Sequence, residues 1–307
     1  MNSKSNLSNS PLFNVSLFVI FWAIQIFLTK VAFISGADIM TLTVQSGIIA
    51  LLLLTLYVIL FKRNQFGNLT KNILIGILFA NAIHGGLGFF FNNAGIALTT
   101  AINAGFVIQF ATVSTAILAW LFLKEKMTGS KIILLSIIVV GAFLLITKGK
   151  LDVPHIGDII LLLACLSWST GNVLMRKILK EHPVDSDVVT FFRPVAGLPL
   201  IFIAIALAPL YPPTVGKIFQ TNLFDFTYLS YAFLCAVFIV LLWIFLNRTL
   251  KVASASYMTM MGSLTPVIVA MLALFFLGES LDPIQWVGAG LILLSGFATY
   301  FLKIDKD

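Results

Sequence analysis

Residues 101–143 read AINAGFVIQFATVSTAILAWLFLKEKMTGSKIILLSIIVVGAF. Shifted by 154 positions without a gap, they fall on residues 255–297, ASYMTMMGSLTPVIVAMLALFFLGESLDPIQWVGAGLILLSGF. Identical pairs include Ala101/Ala255, Ala119/Ala273, Phe122/Phe276, Leu123/Leu277, Glu125/Glu279 and Phe143/Phe297. In a chain this apolar, matched Leu and Phe carry little weight. The glutamates carry more, because each stands two residues beyond a long apolar run and just before the next. The chain reads as one unit written twice.

Composition sets the class of unit. The 307 residues are 60% hydrophobic and 10% charged, with a mean hydropathy of +1.05. Soluble domains carry about 25% charged residues, and a soluble protein of this length could not hide so much apolar surface. The chain is therefore read as a polytopic membrane protein. Cys165 and Cys235 both lie inside apolar runs. They form neither a metal spacing nor a secreted disulfide framework, and are read as small apolar side chains. The polar N-terminus, MNSKSNLSNSPLF, lacks a cleavage site after a short apolar core, so the first apolar run is expected to be a retained span.

A membrane-crossing helix needs about 20 mostly apolar residues. Ten runs qualify, near 13–34, 39–61, 72–93, 98–123, 130–147, 157–179, 187–209, 226–247, 253–277 and 284–302. They are too long for barrel strands, so helices are expected. If the N-terminus starts inside, the inner segments hold Lys4, Lys62, Arg63, Lys71, Lys124, Lys126, Lys131, Arg176, Lys177, Lys180, Arg248, Lys251, Lys303 and Lys306, which is 14. The outer segments hold Lys30, Lys148, Lys150 and Lys217, which is 4; Arg193 lies within a span. That split puts both termini in the cytoplasm and accounts for the net charge of +7 without nucleic acid. Ten spans in two copies give five per copy. Five is odd, so the second copy enters the membrane from the opposite face. The expected architecture is all-α: ten transmembrane helices in two inverted five-helix repeats, 1–152 and 153–307, with cytoplasmic ends. The link between them lies near 148–158, KGKLDVPHIGD.

The first spans of the copies also match. Trp22 is followed eight residues on by Lys30, and Trp168 by Arg176; Gln45 of the second span answers to Arg193, in FFRP. NNAGIALTTAINAGF parallels NRTLKVASASYMT, and LFLKEKMT parallels LFFLGESLD. This pattern resembles the drug/metabolite transporter superfamily, specifically the EamA family of ten-helix transporters, over nearly the whole chain. Its most specific element, an apolar run closing in L-G-E, stands as Leu277-Gly278-Glu279; the first copy has Lys124 in place of Gly. The family's mid-helix proline is Pro266, and its counterpart is Thr112. The resemblance implies an exporter of amino acids, other metabolites or amphipathic toxicants across a bacterial inner membrane.

Polar groups inside spans are costly and mark sites by default. No Asp or Glu falls in a span interior, which argues against a carboxylate proton relay and against a permanent cation site. His84, in NAIHGGLGFFFNN, is either a proton carrier at the substrate site or a neutral imidazole bonded to a neighbouring helix. The glycines beside it permit bending or close approach. By the 154 offset Asn103 answers to Tyr257 and Gln109 to Ser263. All four are candidates for lining a central cavity, interhelical bonding being the alternative. Gln25 and Asn172 follow Trp22 and Trp168 on nearly the same helical faces, and Trp243 adds apolar surface. Together these suit a small zwitterion or amphipathic aromatic solute, although tryptophans also gather at membrane interfaces. Arg193 either snorkels, as Lys30 and Arg176 do, or attracts a carboxylate. Glu125 and Glu279 are expected to cap or pair at helix junctions. Pro266 is a candidate gating kink.

The expected function is secondary transport of a small solute within the lipid bilayer, with a monomer as the expected form and no metal, cofactor or nucleic acid. There is no P-loop of the G-x-x-x-x-G-K-[ST] type for ATP hydrolysis. An intramembrane enzyme would need positioned nucleophiles or metal ligands, and G-x-S-x-G and H-E-x-x-H are both missing from the sequence. A channel or scaffold is the remaining alternative.

Overall fold

A computed structural model describes residues 10–302, apart from the side chains of Ala101 and Ile102. Residues 1–9 and the cations Lys4, Lys303 and Lys306 lie outside the described residues. Among the described residues, ten helices are long and apolar enough to cross a membrane. Spans 1 to 5 are Pro11–Ile34, Ile39–Phe61, Lys71–Ala97, Asn103–Leu123 and Gly129–Thr147. Spans 6 to 10 are Ile156–Glu181, Ser186–Ala206, Leu229–Val252, Ala255–Leu277 and Pro283–Phe301. Most begin at a side-chain cap of the Ser/Thr/Asp kind that accepts one of the first free N–H groups, such as Asp38 from Thr41 N at 2.7 Å.

Span 8 departs most from the sequence expectation of 226–247, running instead to Val252. The polar run Asn247, Arg248 and Thr249 falls inside the helix. Asn247 and Thr249 are buried against protein, and Arg248 is held by Asp187. Their polarity is satisfied without leaving the helix.

The 154-residue offset holds at the level of backbone detail. Thr100 and Ser254 are both N-caps. The helix breaks at Gln109 in span 4 and at Ser263–Leu264 in span 9. Lys124 and Gly278 both end their helices in the left-handed region, at φ 56° and 66°. The N–H groups of Lys124 and Gly278 return to Ala119 O and Ala273 O in six-to-one bonds, and those of Glu125 and Glu279 reach the same two carbonyls, as at helix ends closed by a left-handed residue. Glycine takes that conformation freely; Lys124 takes it at a cost of about 1 kcal/mol.

Packing follows the same rule. Span 1 lies on span 8 as span 6 lies on span 3, and span 9 lies on span 1 as span 4 lies on span 6. Span 2 meets span 8 as span 7 meets span 3, while spans 5 and 10 pair with one another. Exchanging each span for the one five places away reproduces these pairings. With ten crossings, Pro11 and Phe301 lie on one side, here called the terminal side. Glu125 stands at the terminal end of span 4, and Glu279 at the opposite, far end of span 9.

Candidate functional site

Spans 1, 2, 3, 6, 7 and 8 enclose a cavity of about 390 Å³, within the usual range of roughly 300–1,000 Å³ for small-molecule sites. Its walls come from the middle and far halves of these spans. It brings together Gln25, His84, Trp168, Arg193 and Trp243 of the sequence candidates. It adds Thr29, Thr43, Ser46, Asn81 and Asn92, which the sequence had not singled out. Asn81 and Asn92 were findable by the same rule that flagged His84, since both are amides inside an apolar run.

The remaining candidates lie elsewhere. Trp22 stacks on Phe18 at 5.4 Å and faces Gly262. Asn103 binds the link between the halves, donating to Asp158 Oδ2 at 3.1 Å and Val153 O at 3.3 Å. Tyr257 is fully buried in the main apolar core. Ser263 Oγ donates to Met260 O at 2.6 Å. Gln109 is half-buried at the break in span 4, and Asn172 is buried in span 6; neither lines the cavity. Spans 4 and 9 pack behind spans 6 and 1 and, among the described residues, contribute none to the lining. Pro266 stands at the second position of the helix after the break in span 9. Span 4 breaks at the matching place with Thr112 there, so the proline is not what makes the break.

Around His84 the chain winds more loosely, as a π turn from Ala82 to Leu87. Such turns insert an extra residue and recur at functional sites. Here the wider turn brings His84 against Gly171 of span 6, where a Cβ would sit 2.5 Å from His84 Cβ. A Cβ at Gly88 would likewise meet Trp168 Nε1 at 2.6 Å. These two glycines let span 3 press against span 6 and carry the imidazole and the indole to the cavity wall.

Arg193 does not snorkel. It is 5% exposed, because it lies two turns inside span 7 rather than at its end. Its Nη2 donates to Asn247 Oδ1 at 3.1 Å, and Asn247 Nδ2 donates to Thr190 Oγ1 at 2.9 Å. Among the described residues, no carboxylate lies within 4.0 Å of it, and its Nε has no partner. Asn81 Nδ2 and Asn92 Oδ1 are also buried without partners. In a bilayer each such group costs several kcal/mol unless water or a ligand meets it.

The two ends of the bundle differ. On the terminal side, Glu125 accepts from Ala255 N at 2.8 Å, Ser256 N at 3.2 Å and Ser256 Oγ at 2.6 Å. Arg176, buried as well, donates to Leu250 O and Lys251 O at 2.7 and 3.0 Å. The turn between spans 8 and 9 is thus gripped at its last carbonyls and its first amides. Nearby, Asp187 takes two bonds from Arg248 at 2.8 and 2.6 Å and one from Tyr57 at 2.8 Å. On the far side, the counterparts of Arg176 and Glu125 are Lys30 and Glu279. They bind each other at 2.5 Å, half exposed.

The EamA-like transporter family matches twice, over residues 9–147 and again over 155–301. The chain belongs to this family. As an EamA-like transporter it is a multi-pass membrane protein that moves small solutes, and its family is not one of enzymes. It is 25% identical over 252 residues to an uncharacterized transporter of Bacillus subtilis (strain 168), YyaM, covering 80% of this chain and 78% of that one. A solved crystal structure shares the fold, with a TM-score of 0.74 at 13% identity over 95% of this chain and 96% of that one.

Proposed function

We propose that this EamA-like transporter exports small metabolites, amino acids or amphipathic aromatic solutes, from the cytoplasm across a bacterial inner membrane by alternating access. The observation that carries it is the cavity of about 390 Å³ in the middle of the bundle, lined by Trp168, Trp243 and polar atoms that lack partners. Indole rings supply apolar area, and the unpaired amides fix orientation. Binding falls to Gln25, His84, Trp168, Arg193 and Trp243. The charge split among the loops supports cytoplasmic termini, which makes the terminal side the inner one.

Alternating access rests on the unequal ends. Residues 1–152 and 153–307 act as two inverted halves. On the terminal side Glu125 and Arg176 hold the turn between spans 8 and 9. In the opposite state Glu279 takes the N–H groups of residues 101 and 102, which are 154 before 255 and 256. Lys30 then takes the carbonyls of Ile96 and Ala97 in the same manner. One grip opens as the other closes, and the breaks at Gln109 and near Pro266 give spans 4 and 9 a place to flex.

Counterflow in proteoliposomes tests the function. Vesicles loaded with unlabelled amino acids should accumulate trace labelled amino acid. Vesicles without protein, or with Trp168 and Trp243 both replaced by Ala, should not. Equal accumulation in all three overturns the proposal.

A further inference from the structure

The cavity's chemistry selects a charge. Among the described residues, Arg193 is the only charged one that lines it. The guanidinium lies inside a membrane span, among the described residues no carboxylate stands within 4.0 Å, and its Nε is unpaired. Its hydrogen bond to Asn247 is to a neutral amide. Arginine stays charged in proteins. A buried cation in low dielectric is stabilised by a counter-ion, and the described residues bring none to this one.

A second donor stands beside it. Gly85 and Gly197 approach closely, a Cβ on Gly85 lying 3.7 Å from Gly197 Cα. Asn81 and Arg193 each precede these glycines by four residues, about one helical turn. Spans 3 and 7 run in the same direction, so both side chains stand at one level of the bundle. Asn81 Nδ2 is the other buried donor there without a partner. Two unpaired donors, one of them cationic, match an acceptor-only group with two oxygens.

We propose that Arg193 and Asn81 form the subsite for a carboxylate, and that the transported solute carries one carboxylate at the level of these residues and an apolar or aromatic body against Trp168 and Trp243. A monoanion balances the single guanidinium. A doubly charged phosphate would leave one charge uncompensated in the bilayer, and a solute bearing only an ammonium would meet a like charge. The proposal rests on the cavity being the transport site, and it narrows the substrate class to solutes that carry a single carboxylate, excluding simple cations.

The test uses four probes of one shape: phenylacetate, phenylacetamide, phenethylamine and phenyl phosphate. Each is added at millimolar concentration to the purified full chain in detergent at neutral pH, with thermal melting as readout, since a ligand of the folded state raises Tm. Phenylacetate should raise Tm by several degrees, and the amide and amine should not. Arg193→Gln should weaken the phenylacetate response at least tenfold. Asn81→Leu serves the same purpose should the arginine variant fail to fold.

Protection by phenethylamine or phenylacetamide equal to that by phenylacetate overturns the proposal. So does stronger protection by phenyl phosphate, or no shift with any of the four. Phenylacetate binding without counterflow would leave the subsite standing and remove the transport reading. Counterflow of a cationic solute would do the reverse.

Discussion

Glu125 and Ser256, 131 residues apart in sequence, meet through a hydroxyl–carboxylate bond of 2.6 Å on the terminal side of the bundle. The same carboxylate caps the first amides of span 9. Hydrogen bonds to a charged group contribute about 1.5–3 kcal/mol each. Replacing Glu125 by Gln keeps the size and removes the charge. The expected result is amide exchange at Ala255 and Ser256 at least tenfold faster than in the wild type, measured by hydrogen–deuterium exchange. Unchanged protection would show that this contact does not close the terminal side.

Asp187 should matter more for stability than its neighbour Asp185. It is 1% exposed and tied to Arg248, Tyr57 and Lys62. Neutralising it as Asp187→Asn leaves Arg248 uncompensated, at a cost of about 3 kcal/mol. Asp185 shares Lys62 at 2.9 Å in a more open setting, so Asp185→Asn should cost under about 1 kcal/mol. Thermal melting of the two variants in detergent checks the order.

Gly171→Ala should push spans 3 and 6 apart. The new methyl would lie 2.5 Å from His84 Cβ and 2.8 Å from Ala80 O, neither of which can turn away. A fall in both Tm and solute affinity is expected. Gly290→Ala, with nothing within 4 Å, is the matched control and should change neither.

Asn103 separates structural from binding roles. It ties span 4 to Asp158, to Val153 O and to the amide of Asp152. Asn103→Leu should therefore lower Tm while leaving phenylacetate affinity within about twofold, since a side chain outside the cavity adds nothing to the bound state. A tenfold loss of affinity without a change in Tm would return Asn103 to the binding site.

The ten-span fold was legible because hydrophobic length and the 154-residue repeat are properties of the chain alone. Caps and breaks such as Thr100/Ser254 and Gln109/Ser263 recur at that offset. The candidate site was legible only in part. Gln25, His84, Trp168 and Trp243 line the cavity, whereas Trp22 and Asn172, on two of the same spans, do not. Asn103 and Tyr257 do not, although their polarity in an apolar run looked the same. Polarity marks a need for a partner; which partner depends on helix rotation and on what packs behind, as with Asn103 and the link at 152–158. Arg193 shows the reverse. Nearness to a span end suggested snorkelling, yet Asn247 and Thr190 hold it inside.

Two-sided access to one cavity is the central claim, and a single thiol tests it. With Cys165 and Cys235 replaced by Ala, Thr43→Cys places one reactive group on the cavity wall. A membrane-impermeant maleimide is then added to either side of oriented proteoliposomes. The account predicts labelling from the far side, slower labelling from the terminal side, and a terminal-side rate raised several-fold by Glu125→Gln. Terminal-side labelling no faster than that of a core position such as Leu54→Cys, with or without Glu125→Gln, would make the cavity a blind pocket and contradict alternating access.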